Sequence, residues 1–220
     1  MARNLSWPGI LFAGGITAVA GFVDGVGFIH FGGYFLSFMS GNSTRSSAAL
    51  AEGDPGGWLL AMGFVSCFVL GVVISTLVSA RVRHYRRPVV MYISAAFLLL
   101  GALLGPGGGV FTAGALATAM GAVNVSYTRS GEVSLGLTYM TGTLVKLGQQ
   151  LAAALSGGQR MMWAPYAVLW LMITLGSLAG AFSYLHYGLL VLWFAVAAML
   201  LWATMGFLHE RRLRALKTGF

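Results

Sequence analysis

Apolar residues form six runs near 7–30, 58–80, 88–105, 109–128, 164–185 and 188–208. Each approaches the roughly 20 residues that a helix needs to cross a hydrocarbon core about 30 Å thick. Two shorter and more polar stretches, 34–51 and 135–156, interrupt the series. The pattern predicts an all-α membrane protein with about six transmembrane helices and two re-entrant or broken helices. Eight full spans is the alternative. The five prolines fall near the ends of apolar runs, where they punctuate helices rather than kink them. Trp7, Trp58 and Trp163 stand near the expected boundaries, as interfacial aromatics do.

The polar pattern repeats. Gly21-Phe-Val-Asp24 matches Gly121-Ala-Val-Asn124, and Met39-Ser-Gly41-Asn42 matches Met140-Thr-Gly142-Thr143 about a hundred positions later. Arg45 then aligns with Lys146, Trp58 with Trp163 and Gly71 with Gly176. Offsets that widen only through loops indicate an old duplication. The chain is therefore read as a single membrane domain, 1–220, with internal repeats at 7–105 and 107–208. Glycine spacings such as Gly21/Gly25, Gly101/Gly105 and Gly176/Gly180 would let helices approach closely.

Charge selects between the two topologies. Arg81, Arg83, Arg86 and Arg87 crowd one short loop, and Arg211, Arg212, Arg214 and Lys217 follow the last apolar run. Lysine and arginine beside spans mark the cytoplasmic side. Eight spans would put these clusters five crossings apart, on opposite sides. If neither polar stretch makes a net crossing, four crossings separate them and both lie inside. Each repeat then contains three crossings, so the halves run in opposite directions, a recurring transporter design. Both termini are expected in the cytoplasm.

Composition agrees. Hydrophobic residues make up 58% and charged residues 8% of the 220 positions, with a mean hydropathy of +0.82. The net charge of +8 sits beside spans, which argues against nucleic acid and fits contact with anionic lipid. Cys67 is the sole cysteine, so there is no disulfide framework. Residues 1–30 are too long an apolar run for a signal peptide and contain Asp24, so they are read as the first span.

Asp24 is the sharpest chemical feature. An ionised carboxylate at the middle of a transmembrane helix costs roughly 2.5–3.5 kcal/mol even on lenient scales. Three readings stay open: a proton-carrying or cation-binding group, an ion pair with Arg45 or Lys146, or a position close to the surface. Its counterpart Asn124 keeps hydrogen bonding without ionising. In residues 37–45, Gly41 permits a helix break and Asn42 or Ser43 could cap the next helical piece. A helix N-terminus there would favour an anion, with Arg45 adding a planar fork. Thr141, Gly142, Thr143 and Lys146 supply the same arrangement in the second half. The contrary reading has Arg45 and Lys146 snorkelling to an interface and the hydroxyls acting as helix–helix glue. Arg129 and Glu132 are read as a solvated loop pair and His30 as an interfacial residue.

Gly21-Phe-Val-Asp24-Gly-Val-Gly-Phe followed by Phe38-Met-Ser-Gly41-Asn42-Ser-Thr resembles the signature of the YoaK family. These are bacterial membrane proteins of similar length with no assigned function. The resemblance covers the whole chain, with its specificity in residues 21–44. The family's usual Met-Thr-Gly-Asn has Ser40 in place of threonine here, which keeps the hydroxyl. Arg45 stands where the family leads one to expect an apolar residue. The resemblance implies a multi-pass protein of the bacterial inner membrane and supplies no substrate.

The expected function is a small-solute transporter or permease, with Asp24, Asn42, Arg45, Asn124, Thr143 and Lys146 lining a central pathway and Gly41 and Gly142 breaking the helices. A proton-coupled version would load Asp24 while Arg45 or Lys146 holds an anionic group. The alternative is a structural or accessory membrane protein. No metal-ligand cluster, nucleophile elbow or phosphate loop is present, so neither an enzyme, a cofactor nor a metal is expected. The expected partners are the bilayer and an unidentified solute or ion, with a homodimer left open.

Overall fold

The computed structural model describes residues 6–82, 84–129, 132, 133 and 136–218, with side chains outside 128–135 and 217–218. Eight α-helices follow in order: α1 Trp7–His30, α2 Met39–Ala51, α3 Pro55–Arg81, α4 Arg86–Leu104, α5 Val110–Val123, α6 Met140–Leu155, α7 Ala164–Tyr187 and α8 Leu192–Thr218. A 3-10 turn, Asn124–Tyr127, extends α5, and two-residue strands β1 Thr128–Arg129 and β2 Glu132–Val133 pair antiparallel beyond it. That register sets Arg129 opposite Glu132. The pairing expected between their side chains lies outside the described residues.

Helices α1, α3, α4 and α5 with its 3-10 turn are each long and apolar enough to cross a membrane, as is the helical stretch that comprises α7 and α8. Short signals set their ends. Asp54 caps α3 by accepting the Gly57 N–H at 2.9 Å, and Pro55 fills its first position. The last apolar run continues further than its hydropathy suggests, since the basic tail to Thr218 stays helical.

Helices α2 and α6 are different. At 13 and 16 residues they reach only about 20 and 24 Å, short of a full crossing. The chain turns after His30 through Gly32 and Gly33, both at positive φ (68° and 84°), a conformation that glycine adopts without a Cβ clash. A non-helical arm, 34–38, bent at Leu36 and Ser37, then runs back beside α1 until those two residues meet Asp24, about 9 Å below the helix end. From Met39, α2 returns along the same arm. Asn42 pairs with Phe35 and Arg45 reaches Gly33, so the two limbs lie antiparallel. Residues 31–51 are therefore a re-entrant hairpin, entering and leaving on one side.

Contacts at the other end decide the span count. The Tyr85 ring, in the loop before α4, lies 4.8 Å from Phe207 and carries the Arg214 guanidinium at 4.4 Å. The basic loop and the basic end of α8 therefore share a face, as six crossings require and eight forbid. Phe12 packs edge-on against Trp202 at 5.2 Å, which brings the start of α1 to the same end.

The halves are laid out alike. Helix α1 packs on α7 and α3 on α5, while α4 and α8 meet each other. The α1–α7 seam is set by glycines. A Cβ at Gly21 or Gly25 would strike the carbonyl of Ile173 or Ser177, and one at Gly176 or Gly180 that of Ala18 or Phe22. Gly71 and Gly121 interlock in the same way across α3 and α5. Such contact replaces the missing hydrophobic drive between helices in lipid. Gly101/Gly105 does not belong to this set, because Gly101 faces the Leu116 side chain and Gly105 ends α4.

Candidate functional site

The arm of the first hairpin is held by a carboxylate. Asp24 Oδ1 accepts the N–H groups of Leu36 at 2.7 Å and Ser37 at 2.9 Å, and Oδ2 accepts the Ser37 hydroxyl at 2.9 Å. A non-helical segment inside a bilayer leaves its N–H groups without helical partners, so something must accept them. A carboxylate makes the strongest such bonds. Asp24 thus turns inward to its own hairpin rather than to Arg45 or Lys146. The remaining polar chemistry of the arm is met by Asn42, fully buried, whose Oδ1 accepts the Phe35 N–H at 3.0 Å while Nδ2 donates to the Phe35 carbonyl at 2.7 Å.

The second half repeats the device without a charge. Asn124 Oδ1 accepts the Thr138 N–H at 3.2 Å, and its Nδ2 lies 2.9 Å from the Thr138 hydroxyl. Nδ2 also donates to the Met120 carbonyl at 2.8 Å, tying the anchor to its own helix. Ser37 and Thr138 are the functional residues that sequence reasoning missed. The signal is present: Leu36-Ser-Phe-Met-Ser-Gly41 and Leu137-Thr-Tyr-Met-Thr-Gly142 match conservatively at every position, so the likeness begins three residues before Met39 and Met140.

Both hairpin tips reach one cavity of about 590 Å³. Ser37, Phe38, Met39 and Ser40 line it from the first hairpin, and Thr138 to Thr143 with Lys146 from the second. Asn124 contributes from α5, and Phe68, Val72 and Tyr166 supply apolar wall. A second cavity, about 550 Å³, holds Asp24 and shares Ser37, Phe38, Thr138 and Met140 with the first. The two cavities therefore flank the point where the tips meet. The first turns of α2 and α6 open on the larger one, and neither turn contains an acidic residue.

The residues named from the sequence separate into three groups. Asn124, Thr143 and Lys146 line the larger cavity, and Asp24 the smaller. Asn42 and Arg45 line neither. Asn42 is consumed by the Phe35 backbone, so it does not cap α2, whose N-cap Phe38 makes no side-chain bond. Arg45 is exposed at the open end of the hairpin, where Nη1 donates to the Gly33 carbonyl at 3.0 Å and the guanidinium lies 4.0 Å from the Tyr34 ring centre. The long side chain reaches back along the antiparallel limb because a carbonyl and an aromatic face wait there.

Gly41 and Gly142 do not break their helices either. Both sit in the first turn, where a Cβ would meet the rings of Phe35 and Phe38, or of Tyr139. The interruption falls earlier, at residues 31–38 in the first half. His30, at the end of α1, has Nδ1 2.8 Å from the Tyr184 hydroxyl and joins α1 to α7.

Six apolar helices and two short helices whose first turns meet at a polar cavity define a polytopic α-helical membrane protein. Residues 12–205 match the family described as protein of unknown function DUF1275, and the chain belongs to that family. It is 36% identical over 210 residues to a UPF0700 transmembrane protein of Rhizobium meliloti, covering 96% of this chain and 91% of that one. No solved structure matches it.

Proposed function

We propose that this protein is a permease for a small anionic solute in the bacterial inner membrane, with both termini and the arginine-rich face in the cytoplasm. The observation that carries this reading is the convergence of two re-entrant helix N-termini on one cavity that Lys146 also lines. Helix N-termini present free N–H groups and partial positive charge, and opposed half-helices aimed at an anionic group recur in transporters. Irregular backbone at membrane depth survives only beside protein or a water-filled cavity, which suits a pathway. Hydroxyls of Ser40, Thr138 and Thr143 and the Asn124 amide would orient the solute. In a proton-coupled form, Asp24 takes up a proton from the adjoining cavity and loosens its grip on Ser37.

The test is flux of a panel of small organic and inorganic anions into proteoliposomes containing the full chain. Uptake above protein-free liposomes is expected for at least one anion. Lys146→Gln should reduce it by about tenfold or more, the loss of one charge-assisted contact. Flux equal to empty liposomes across the panel, or flux indifferent to Lys146→Gln, would sink the reading.

A second reading, a structural or accessory protein, draws on one specific observation: Asp24 spends its acceptors on its own hairpin. Under it, Asp24→Asn lowers thermal stability in detergent strongly. As a transport residue, Asp24 loses function on the same change at little cost in stability.

A further inference from the structure

On the arginine-rich face, the ends of α3, α4 and α8 come together around the loop 82–85. These helix ends carry Arg81, Arg86, Arg87, Arg211, Arg212 and Arg214 against one carboxylate, Glu210. Topology alone would be satisfied by mobile cations. Arg86, Arg87 and Arg214 are instead fixed in place. Arg86 donates Nε to the Ser79 carbonyl at 3.1 Å, at the end of α3. Arg87 donates Nε to the Ser126 carbonyl at 3.4 Å and lies over the Tyr127 ring at 4.3 Å, at the end of α5. Arg214 lies over the Tyr85 ring, 4.4 Å from its centre. Tyr85 is the one non-glycine residue at positive φ (62°) among the described residues, and this conformation leads directly into the first turn of α4. A bulky residue held there is worth a functional reading.

The electrostatics of this arrangement are incomplete without an anion. Arg86 and Arg87 occupy the first turn of α4, the positive end of its dipole, where a cation is disfavoured. That turn has no acidic residue and no side-chain cap. With Nε committed to a carbonyl, each guanidinium keeps its Nη amino groups, which have no hydrogen-bond partner among the described residues. Such a fork matches two phosphate oxygens. Directly along the bundle from this face, Leu77, Val78, Tyr92 and Leu208 are exposed. A ligand with a phosphate at one end and an apolar body at the other fits both parts.

We propose that Arg86 and Arg87, beside the Tyr85–Arg214 stack, bind the phosphate of an anionic phospholipid headgroup whose acyl chains lie along α3, α4 and α8. The full chain purified in detergent would be titrated with phosphatidylglycerol or phosphatidylcholine in mixed micelles, reading thermal stability and bound lipid by native mass spectrometry. A preference for phosphatidylglycerol is expected, falling about fivefold for each arginine removed in Arg86→Gln/Arg87→Gln. Arg211→Gln/Arg212→Gln removes the same charge and should leave the preference within about twofold. Equal losses in the two double variants would mean diffuse charge and overturn the site. Inorganic phosphate that displaces the lipid and reproduces its stabilisation would make this a free-anion site and overturn the lipid assignment. If the glutamine variant fails to fold, Arg86→Lys/Arg87→Lys keeps the charge without the fork. An undiminished preference in that variant overturns the proposal.

Discussion

Helices α2 and α6 and the residues just before them share a sequence plan, yet they are fastened differently. The first arm gives two N–H groups to a carboxylate at 2.7 and 2.9 Å, while the second gives one to an amide at 3.2 Å. Asn42 clasps the first arm through both atoms of its amide, whereas Thr143, at the equivalent place, donates its hydroxyl to Tyr139, four residues earlier at the start of its own helix. Helix α2 buries Asn42, Ser46 and Ala49, and α6 buries Thr143 alone. The two elements share a polar pattern, and their side chains hold the first tightly and the second loosely. In an inverted-repeat permease the loose copy is the element expected to move, since segments that move are drawn from those of low local stability.

The largest effects should come from the seam that both hairpins depend on. Gly176→Leu drives a side chain into the Ala18 carbonyl, and loss of folded protein in detergent extracts is expected. Recovery of normal amounts of folded protein would show that the α1–α7 seam is not close-packed. Next comes the anchor comparison itself. Asp24→Leu strands two N–H groups and should cost about 3–5 kcal/mol, against about 1–3 for Asn124→Leu, measured by denaturation in mixed micelles. Equal costs would erase the asymmetry.

The clasps sharpen the comparison at smaller scale. Asn42→Ala should destabilise by about 2 kcal/mol, and Thr143→Ala by about 1 or less, because only the former leaves buried backbone groups unpaired. The subtlest readout is native-state hydrogen exchange, in which amides of α6 should exchange about tenfold faster than those of α2. The reverse order would mean that the first hairpin is the mobile one.

Much of the fold was legible because it rests on local quantities. Run length marked six spans, the shortness and polarity of 34–51 and 135–156 set those two stretches apart, and the placement of arginine favoured six crossings over eight. The positions of arginine predicted that loop 81–87 and the tail share a face, and the Tyr85–Arg214 stack is where they meet. The candidate site was less legible. Asp24 was recognisable as a carboxylate in need of a partner, but a backbone N–H leaves no mark in a sequence, and those of Leu36 and Ser37 became its partners. Being polar at membrane depth, Arg45 and Asn42 suggest pathway residues from the sequence alone. Both instead serve the hairpin's antiparallel limbs, a pairing that exists only once the chain has turned at Gly32 and Gly33.

The sequence by itself determined that this is a membrane-spanning helical chain with a recurring polar pattern, because hydropathy, residue spacing and charge act over a few neighbours at a time. The tertiary structure alone decided which polar group meets which, and which of the two copies is bound tightly. Those outcomes depend on where a non-helical arm lands against a helix some twelve residues back in the chain, a question of three-dimensional register that no local pattern encodes.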